Sequence, residues 1–131
     1  MAYEVNIEYE VEKNWYFRKV LYTGYYSQLV AYCLQSGEDI SNESYPKADQ
    51  LIVIVSGAGK AVVEGAEWEV SKGSVVLVPA GHQHNIVNTG SHMLQLYSMY
   101  SPPQHRDGMY WKTKADAAAD TGEHWTGSTT E

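Results

Sequence analysis

Short apolar runs recur every eight to ten residues through the middle of the chain, and glycine, proline or serine closes each of them. Residues 51–55 form an unbroken apolar stretch, and residues 61–64 and 74–78 are mainly apolar. This spacing is typical of the strands of a sandwich or barrel, and no long stretch with the period of a helix interrupts it. The sequence therefore predicts an all-β fold.

Turn residues predict how these strands are connected. The sequence Ser56-Gly57-Ala58-Gly59 predicts a hairpin that joins residues 51–55 to residues 61–64. Thr89-Gly90 predicts a second hairpin between the runs on either side of it. Pro102-Pro103 ends the last strand, because proline cannot donate a hydrogen bond to a neighbouring strand.

The region before the first apolar run contains strands and a polar segment. Residues 15–34 are dense in Tyr, Val and Leu, and they predict two strands separated at Thr23-Gly24. Residues 41–50 are polar and predict either a loop or a strand lined with functional side chains. A chain of 131 residues is long enough to bury one core, so a single domain is expected.

The C-terminal part of the chain differs in composition from the rest. Thr113 predicts the cap of a short helix over residues 114–119, because Asp116 stands three residues further on. Beyond Asp120, the Gly, Ser and Thr content predicts a flexible tail. The expected division is therefore a barrel domain over residues 1–119, with its core at about 30–101, and a tail over residues 120–131.

Charge and cysteine content exclude several classes of protein. Nine Lys and Arg against sixteen Asp and Glu give a net charge of −7, which opposes binding to nucleic acid or to an anionic membrane. Cys33 is the single cysteine, so no intrachain disulfide forms, and its apolar neighbours predict a buried thiol. The first residues lack the pattern of a signal peptide, and no apolar run reaches about 18 residues, which predicts a cytoplasmic protein.

Two motifs carry a resemblance to a known family. Gly73, Pro79-Ala80-Gly81, His84 and Asn88 stand at the spacing of the second motif of the cupin superfamily. Gly37, Glu43, Tyr45, Gln50 and Gly57 keep the spacing of the first motif, although the residue types differ. The resemblance implies a single-domain cupin, which is a jelly-roll barrel also described as a double-stranded β-helix.

Within the cupins, the chain resembles most a branch of small proteins called mannose-6-phosphate isomerase-like. The likeness covers about residues 14–119 and includes residues 17–24 and 100–103. The resemblance implies that Glu43, Gln50 and His84 hold a divalent metal ion, while Tyr45 stands where the family has a fourth ligand, a histidine. An imidazole, a carboxylate and an amide oxygen form a hard, oxygen-rich set that favours manganese or iron.

Each of these residues has more than one interpretation. Tyr45 acts as a metal ligand, acts as an acid or base on a bound substrate, or only packs in the barrel and donates a hydrogen bond to Glu43. His84 binds metal or ligand, or is a satisfied core histidine. Gln50 is a ligand or part of a hydrogen-bond network, and an unpaired buried Glu43 would have a raised pKa.

The remaining histidines are assigned lesser roles. His82 precedes His84 by two residues and is an alternative metal ligand, although it lies in the turn after Pro79. His92 and His105 are expected to be surface or loop residues.

Three functions follow from these alternatives. The first is a metal-dependent enzyme, with isomerase, lyase or oxygenase chemistry, that acts on a small polar metabolite. The second is a metal-free barrel that binds a small molecule without catalysis, and the third is a metal-free enzyme that uses Tyr45 and His84 as acid and base. Trp68, Trp111 and Trp125, with eleven tyrosines, exceed the needs of one small core and favour a homodimer.

Overall fold

Two antiparallel sheets enclose the interior of the protein in a computed structural model that describes residues 2–130. Within that range, nine strands and two short helices follow in the order α1 (Ile7–Glu12), β1 (Arg18–Thr23), β2 (Gln28–Leu34), β3 (Asp49–Ser56), β4 (Ala58–Val63), β5 (Ala66–Ser71), β6 (Val75–Val78), β7 (His84–Val87), β8 (Leu94–Ser101), β9 (Tyr110–Trp111) and α2 (Lys114–Ala119). The larger sheet has the strand order β6-β3-β8-β2-β1-β9, and the smaller has the order β5-β4-β7. The all-β architecture expected from the sequence is confirmed.

Both sheets contribute alternate residues to one core. Ile52 and Leu96 of the larger sheet belong to the same buried cluster as Ala61 and Ile86 of the smaller one. This arrangement follows from the alternation of side chains along a strand, which points every second residue inward. Cys33 is buried as expected. No helix within residues 2–130 is long and apolar enough to cross a membrane.

The predicted hairpin around Gly57 is wrong, because β3 and β4 lie in different sheets. β3 pairs with β6 and β8, so both of its edges are occupied, whereas β4 pairs with β5 and β7. Gly57 is the corner where the chain passes from one sheet to the other. Its φ is +90°, and a Cβ atom there would lie only 2.4 Å from the carbonyl oxygen of Met93.

The predicted hairpin across Thr89-Gly90 is wrong for the same reason. β7 pairs with β4 of the small sheet, and β8 pairs with β2 and β3 of the large one. Sequence neighbours in this barrel are therefore often not sheet neighbours. The turn residues do end the strands, as predicted, but a break between two strands does not specify which strands pair.

The two helices differ in how well the sequence predicts them. Thr113 caps α2 and accepts a hydrogen bond from the Asp116 amide at 3.1 Å, as expected. The sequence offered no prediction for α1, which Asn6 caps. The Gln95 amide group donates to backbone carbonyls in and after this helix, those of Val11, Glu12 and Asn14, so contacts with the barrel help to hold it.

The segment after α2 contacts the barrel at several points, although its composition predicts a flexible tail. The Trp125 amide donates to the Gln104 carbonyl at 3.0 Å, and the Thr130 amide donates to the Thr23 carbonyl at 2.9 Å. Glu123 lies between α2 and Trp125 in the sequence. Its side chain enters the protein and is only 5% exposed. The tail therefore contributes a charged group to the interior.

The corner at Gly57 can be tested with a matched pair of alanine substitutions. Gly65 has a similar φ of +84°, but no atom lies within 4 Å of the position that its Cβ would take. We expect Gly65→Ala to lower the free energy of unfolding by about 1–2 kcal/mol, the cost of a left-handed backbone with a side chain. Gly57→Ala should cost clearly more, because it adds a clash with Met93. Urea unfolding of both variants measures the difference, and equal losses would contradict the role of Gly57 as a tight corner.

Candidate functional site

Polar residues form a row across the inner face of the large sheet. Tyr100 of β8 pairs with Gln28 on one side and with Gln50 on the other. Directly paired residues of antiparallel strands project to the same face, so these three side chains point into the barrel together. Gln50 is buried, and its amide Nε2 donates to the Ser98 hydroxyl at 2.7 Å.

The polar loop between β2 and β3 brings Glu43 to the opposite sheet. The Glu43 amide donates to the His84 carbonyl, and the His84 amide donates to the Glu43 carbonyl, both at 2.9 Å. This pair of bonds fixes Glu43 next to the first residue of β7. Glu43, Tyr45 and His84 therefore share one inward face, as the two-residue spacing predicts.

Tyr45 connects the two sheets. Its hydroxyl donates to Glu43 Oε2 at 2.9 Å, and its ring centre lies 6.2 Å from that of His84. The same ring meets Tyr100 edge to face at 5.2 Å, and Tyr100 is the neighbour of Gln50 in the large sheet. The four residues singled out in the sequence thus meet through Tyr45 and Tyr100.

Three buried atoms at this place accept no hydrogen bond from residues 2–130: Glu43 Oε1, Gln50 Oε1 and His84 Nε2. The His84 Nδ1 atom lies 3.1 Å from the His82 carbonyl oxygen. Because a carbonyl only accepts, Nδ1 carries the proton and Nε2 presents its lone pair. We call these three side chains the donor cluster, because each offers a lone pair that could be donated to a metal ion. Buried polar atoms are rarely left without a partner, so the donor cluster is a place where a ligand would be favoured.

Burial determines the charge of these groups. It lowers the pKa of His84, so the imidazole is neutral at pH 7. It raises the pKa of Glu43, although the hydrogen bond from Tyr45 and the charge of Arg18 act in the opposite direction. Burial, with the neighbouring Tyr32 and Glu43, raises the pKa of Tyr45 well above its ordinary value. The Tyr45 hydroxyl therefore stays protonated and serves as a donor to Glu43.

The donor cluster offers one nitrogen and two oxygen atoms with free lone pairs. Within residues 2–130, no group of three His, Cys, Asp or Glu side chains is placed to hold a metal ion. A metal site here would need the Gln50 amide oxygen as a third ligand. The contact of His82 with His84 is made by the His82 backbone carbonyl oxygen, at 3.1 Å from His84 Nδ1.

His105 lies in a loop, one of the two positions expected for it, but it is buried and not at the surface. It lies in the loop after β8 but is only 4% exposed. Gln28 binds its backbone on both sides, accepting from the amide at 3.0 Å and donating to the carbonyl at 2.7 Å. Glu123 holds its Nδ1 at 3.0 Å, while Nε2 is buried and has no partner within the described residues. His92 is exposed, as expected.

A cation lies beside this histidine. The Arg18 guanidinium stacks on the Trp111 ring at 4.1 Å, and its Nη2 is 3.8 Å from Glu123 Oε2. We call Arg18, His105, Trp111 and Glu123 the arginine cluster. Sequence reasoning missed it, although a buried position for Arg18, at the start of a strand that contains Val20 and Leu21, was a possibility to test. Nothing in the sequence of the tail distinguishes the buried Glu123 side chain from an exposed acidic one.

The architecture is that of a double-stranded β-helix with polar groups in its interior. Residues 30–100 match the cupin domain family, and the chain belongs to that family. The Bacillus subtilis protein YrkC is 40% identical over 121 residues, which cover 88% of this chain and 65% of YrkC. The chain thus spans slightly less than two thirds of that relative.

Two solved structures show the same fold. The Bacillus halodurans protein BH2720 is 39% identical and superposes with a TM-score of 0.89, over 91% of this chain and 95% of BH2720. KdgF from a Halomonas species is 20% identical and has a TM-score of 0.66, over 82% of this chain and 96% of KdgF. The second likeness shows the fold alone.

Acid should destabilise the protein through His105. Burial lowers the pKa of His105, against the opposing effect of Glu123, so the unfolded chain takes up a proton at this residue before the folded protein does. The contribution of neutral His105 to the free energy of unfolding is therefore complete above about pH 6.5. It decreases as the pH falls below that value, by up to about 1.4 kcal/mol per pH unit. The groups that surround the His105 ring are two charged and three aromatic side chains: Arg18, Glu123, Tyr45, Tyr100 and Trp111.

Urea midpoints at pH 7.5 and pH 5.5 measure this effect. We expect the decrease to be smaller for His105→Asn than for the wild type, whereas His92→Asn, at an exposed position, should keep the wild-type decrease. Identical decreases in all three proteins would show that His105 is not held neutral by burial.

Proposed function

We propose that this cupin binds a divalent metal ion through Glu43, Gln50 and His84 and uses it on a small polar metabolite in the barrel. The observation that supports the proposal is that each of these side chains has one buried donor atom without a partner: Glu43 Oε1, Gln50 Oε1 and His84 Nε2. Leaving such atoms unpaired is costly, and a cation held by these three side chains would give each of the atoms a partner.

The hydrogen bonds around the donor cluster support the same conclusion. Tyr45 binds Glu43 Oε2, Ser98 binds Gln50 Nε2, and the His82 carbonyl binds His84 Nδ1. In every case the partner occupies the atom that would not bind metal. Metal ligands in proteins are commonly held in this way by a second layer of hydrogen bonds.

The ligand chemistry favours manganese or ferrous iron, because two of the three donors are oxygen atoms and none is sulfur. Such an ion supplies Lewis-acid chemistry that polarises an oxygen of the substrate. Tyr45 holds the Glu43 carboxylate, and neutral His84 keeps its lone pair available. The resemblance to the mannose-6-phosphate isomerase-like branch supports isomerase, lyase or oxygenase chemistry and does not choose among them.

A metal-free binding barrel is the second candidate, and one observation favours it. Tyr45 occupies the position of the family's fourth ligand, and its protonated hydroxyl already satisfies one oxygen of Glu43. The raised pKa of Glu43 would also let this carboxyl take up a proton in place of a cation.

In the metal-free enzyme, His84 Nε2 rather than Tyr45 would act as the base, since the pKa of Tyr45 is raised.

A homodimer in the cytoplasm completes the proposal. Trp111 belongs to the core, but Trp68, Val75 and Leu77 are exposed and line one surface groove. Leu77 is 72% exposed on β6, which is an edge strand of the large sheet. Exposed apolar side chains of this kind are typical of contact surfaces between subunits.

Metal content tests the two candidates directly. We expect wild-type protein, purified without chelator, to hold about one manganese or iron ion per chain. His84→Ala should lose it, while His92→Ala, which removes an exposed histidine, should retain it. Elemental analysis and titration calorimetry give both results. An empty wild type, together with a Tyr45→His variant that gains metal, would instead establish the metal-free candidate.

The role of Tyr45 follows from a comparison of Tyr45→Phe with His84→Ala. Phenylalanine keeps the ring packing and removes the donor to Glu43 Oε2. We expect metal affinity to fall about tenfold, which is typical of losing a partner that orients a ligand. A loss in Tyr45→Phe as large as that in His84→Ala would show instead that the tyrosine oxygen is itself a ligand.

A further inference from the structure

A cavity of about 180 Å³ lies between α2 and the loop after β2. Arg18 lines it from β1, Ser41 and Glu43 from the loop, and Lys114 and Ala117 from the helix. A cavity of this volume has room for several water molecules or for one small metabolite. The cavity therefore reaches residues of both the donor cluster and the arginine cluster.

Arg18 is the unusual residue in this cavity. Its side chain is only 9% exposed, yet its Nε atom has no hydrogen-bond partner among residues 2–130. The distance of 3.8 Å between Arg18 Nη2 and Glu123 Oε2 is longer than a hydrogen bond. Glu123 therefore places a negative charge near the guanidinium but accepts no hydrogen bond from Nη2. A buried guanidinium N–H without an acceptor is costly, and an oxygen of a ligand in the cavity would supply one.

The charges around Arg18 indicate what kind of ligand fits. Burial raises the pKa of Glu123, but its contacts with His105, the Arg106 amide and Arg18 outweigh this effect and keep it ionised at neutral pH. Glu43, in contrast to Glu123, is an acidic group that lines the cavity itself. Two neighbouring carboxyl groups and one arginine disfavour a doubly charged phosphate, whereas a singly charged carboxylate matches a guanidinium in charge and shape.

The entrance of the cavity has its own cation. Lys114 of α2 forms an ion pair with Asp39, and both side chains are about one third exposed. Lys114 therefore stands at the mouth of the cavity and Arg18 at its inner wall. An anion entering between α2 and the loop would pass from the first positive charge to the second.

We propose that Arg18 anchors the carboxylate of a small organic monoacid in this cavity, with the rest of the molecule directed towards Glu43. The inference rests on the proposed function only for the chemistry that follows binding, and it assigns small carboxylic acids as the substrate class of that site. Trp111 and Glu123 are positioning residues, because they hold the guanidinium from its face and its edge.

The chain contains two arginines, Arg18 and Arg106, which makes the anchor directly observable. Each Nε–H group gives one signal in a proton–nitrogen correlation spectrum, and Arg106→Lys identifies which is which. Acetate, glycolate and pyruvate are the charged probes, and acetamide and glycolamide are neutral probes of matching size. Chloride and inorganic phosphate control for ionic strength and for anion type.

We expect the Arg18 signal to shift saturably with the carboxylates, with an apparent Kd at least about tenfold below that of the amides. Arg106→Lys should leave the titration unchanged, because Arg106 is exposed, and Arg18→Lys should weaken carboxylate binding about tenfold or more. The wild-type titration needs no variant, so the test holds even if Arg18→Lys fails to fold. An Arg18 signal that ignores carboxylates, or that shifts equally with amides or chloride, overturns the proposal. A stronger response to phosphate overturns the assignment of ligand class.

Titrations with chelator-treated, desalted protein and with zinc-loaded protein separate this inference from the proposed metal site. A carboxylate-dependent shift in the chelator-treated protein would support the anchor, and failure of the same protein to take up manganese, iron or zinc would refute the metal site. Metal binding without any response of Arg18, in either form, would refute the anchor and leave the metal site standing.

Discussion

Two backbone hydrogen bonds between Glu43 and His84 hold the interior site together. The two residues are 41 positions apart in the chain, and this pairing places Glu43 directly opposite His84. Tyr45 then shares the same face, and its hydroxyl and ring connect Glu43 to the large sheet. Together with the bond from the Ile40 amide to the Ile86 carbonyl at 3.1 Å, this contact sets the register of the polar loop relative to β7.

A glutamine has the corresponding role on the other side of the barrel. All the polar atoms of the Gln28 side chain are engaged, since it binds Thr23, the amides of Gln104 and His105, and the His105 carbonyl. This network fixes the loop after β8, and the tail adds Glu123 to it. The donor cluster and the arginine cluster are thus built by different segments, and the rings of Tyr45 and Tyr100 lie between them.

The sequence predicted those features that local chemistry determines. The motif from Gly73 to Asn88 identified the turn and the inward histidine, and Thr113 identified the start of α2. Asn88 has a structural role, because its amide donates to the carbonyls of Leu34 and His92. Strand pairing was mispredicted at Gly57 and at Thr89-Gly90, because partners in this barrel are remote in sequence. His105 was misjudged because its burial depends on Gln28 and Glu123, which are 77 and 18 positions away.

The strand order has a consequence for where this protein can be divided. The recognisable family region ends at residue 100, but Arg18 precedes it and His105, Trp111 and Glu123 follow it. A fragment cut at the borders of that region would retain every member of the donor cluster and lose the whole arginine cluster. It would also expose the β2 edge that β1 covers in the intact sheet. The unit that carries both clusters is therefore wider than the family signature, and fragments for expression or domain exchange should extend past Glu123.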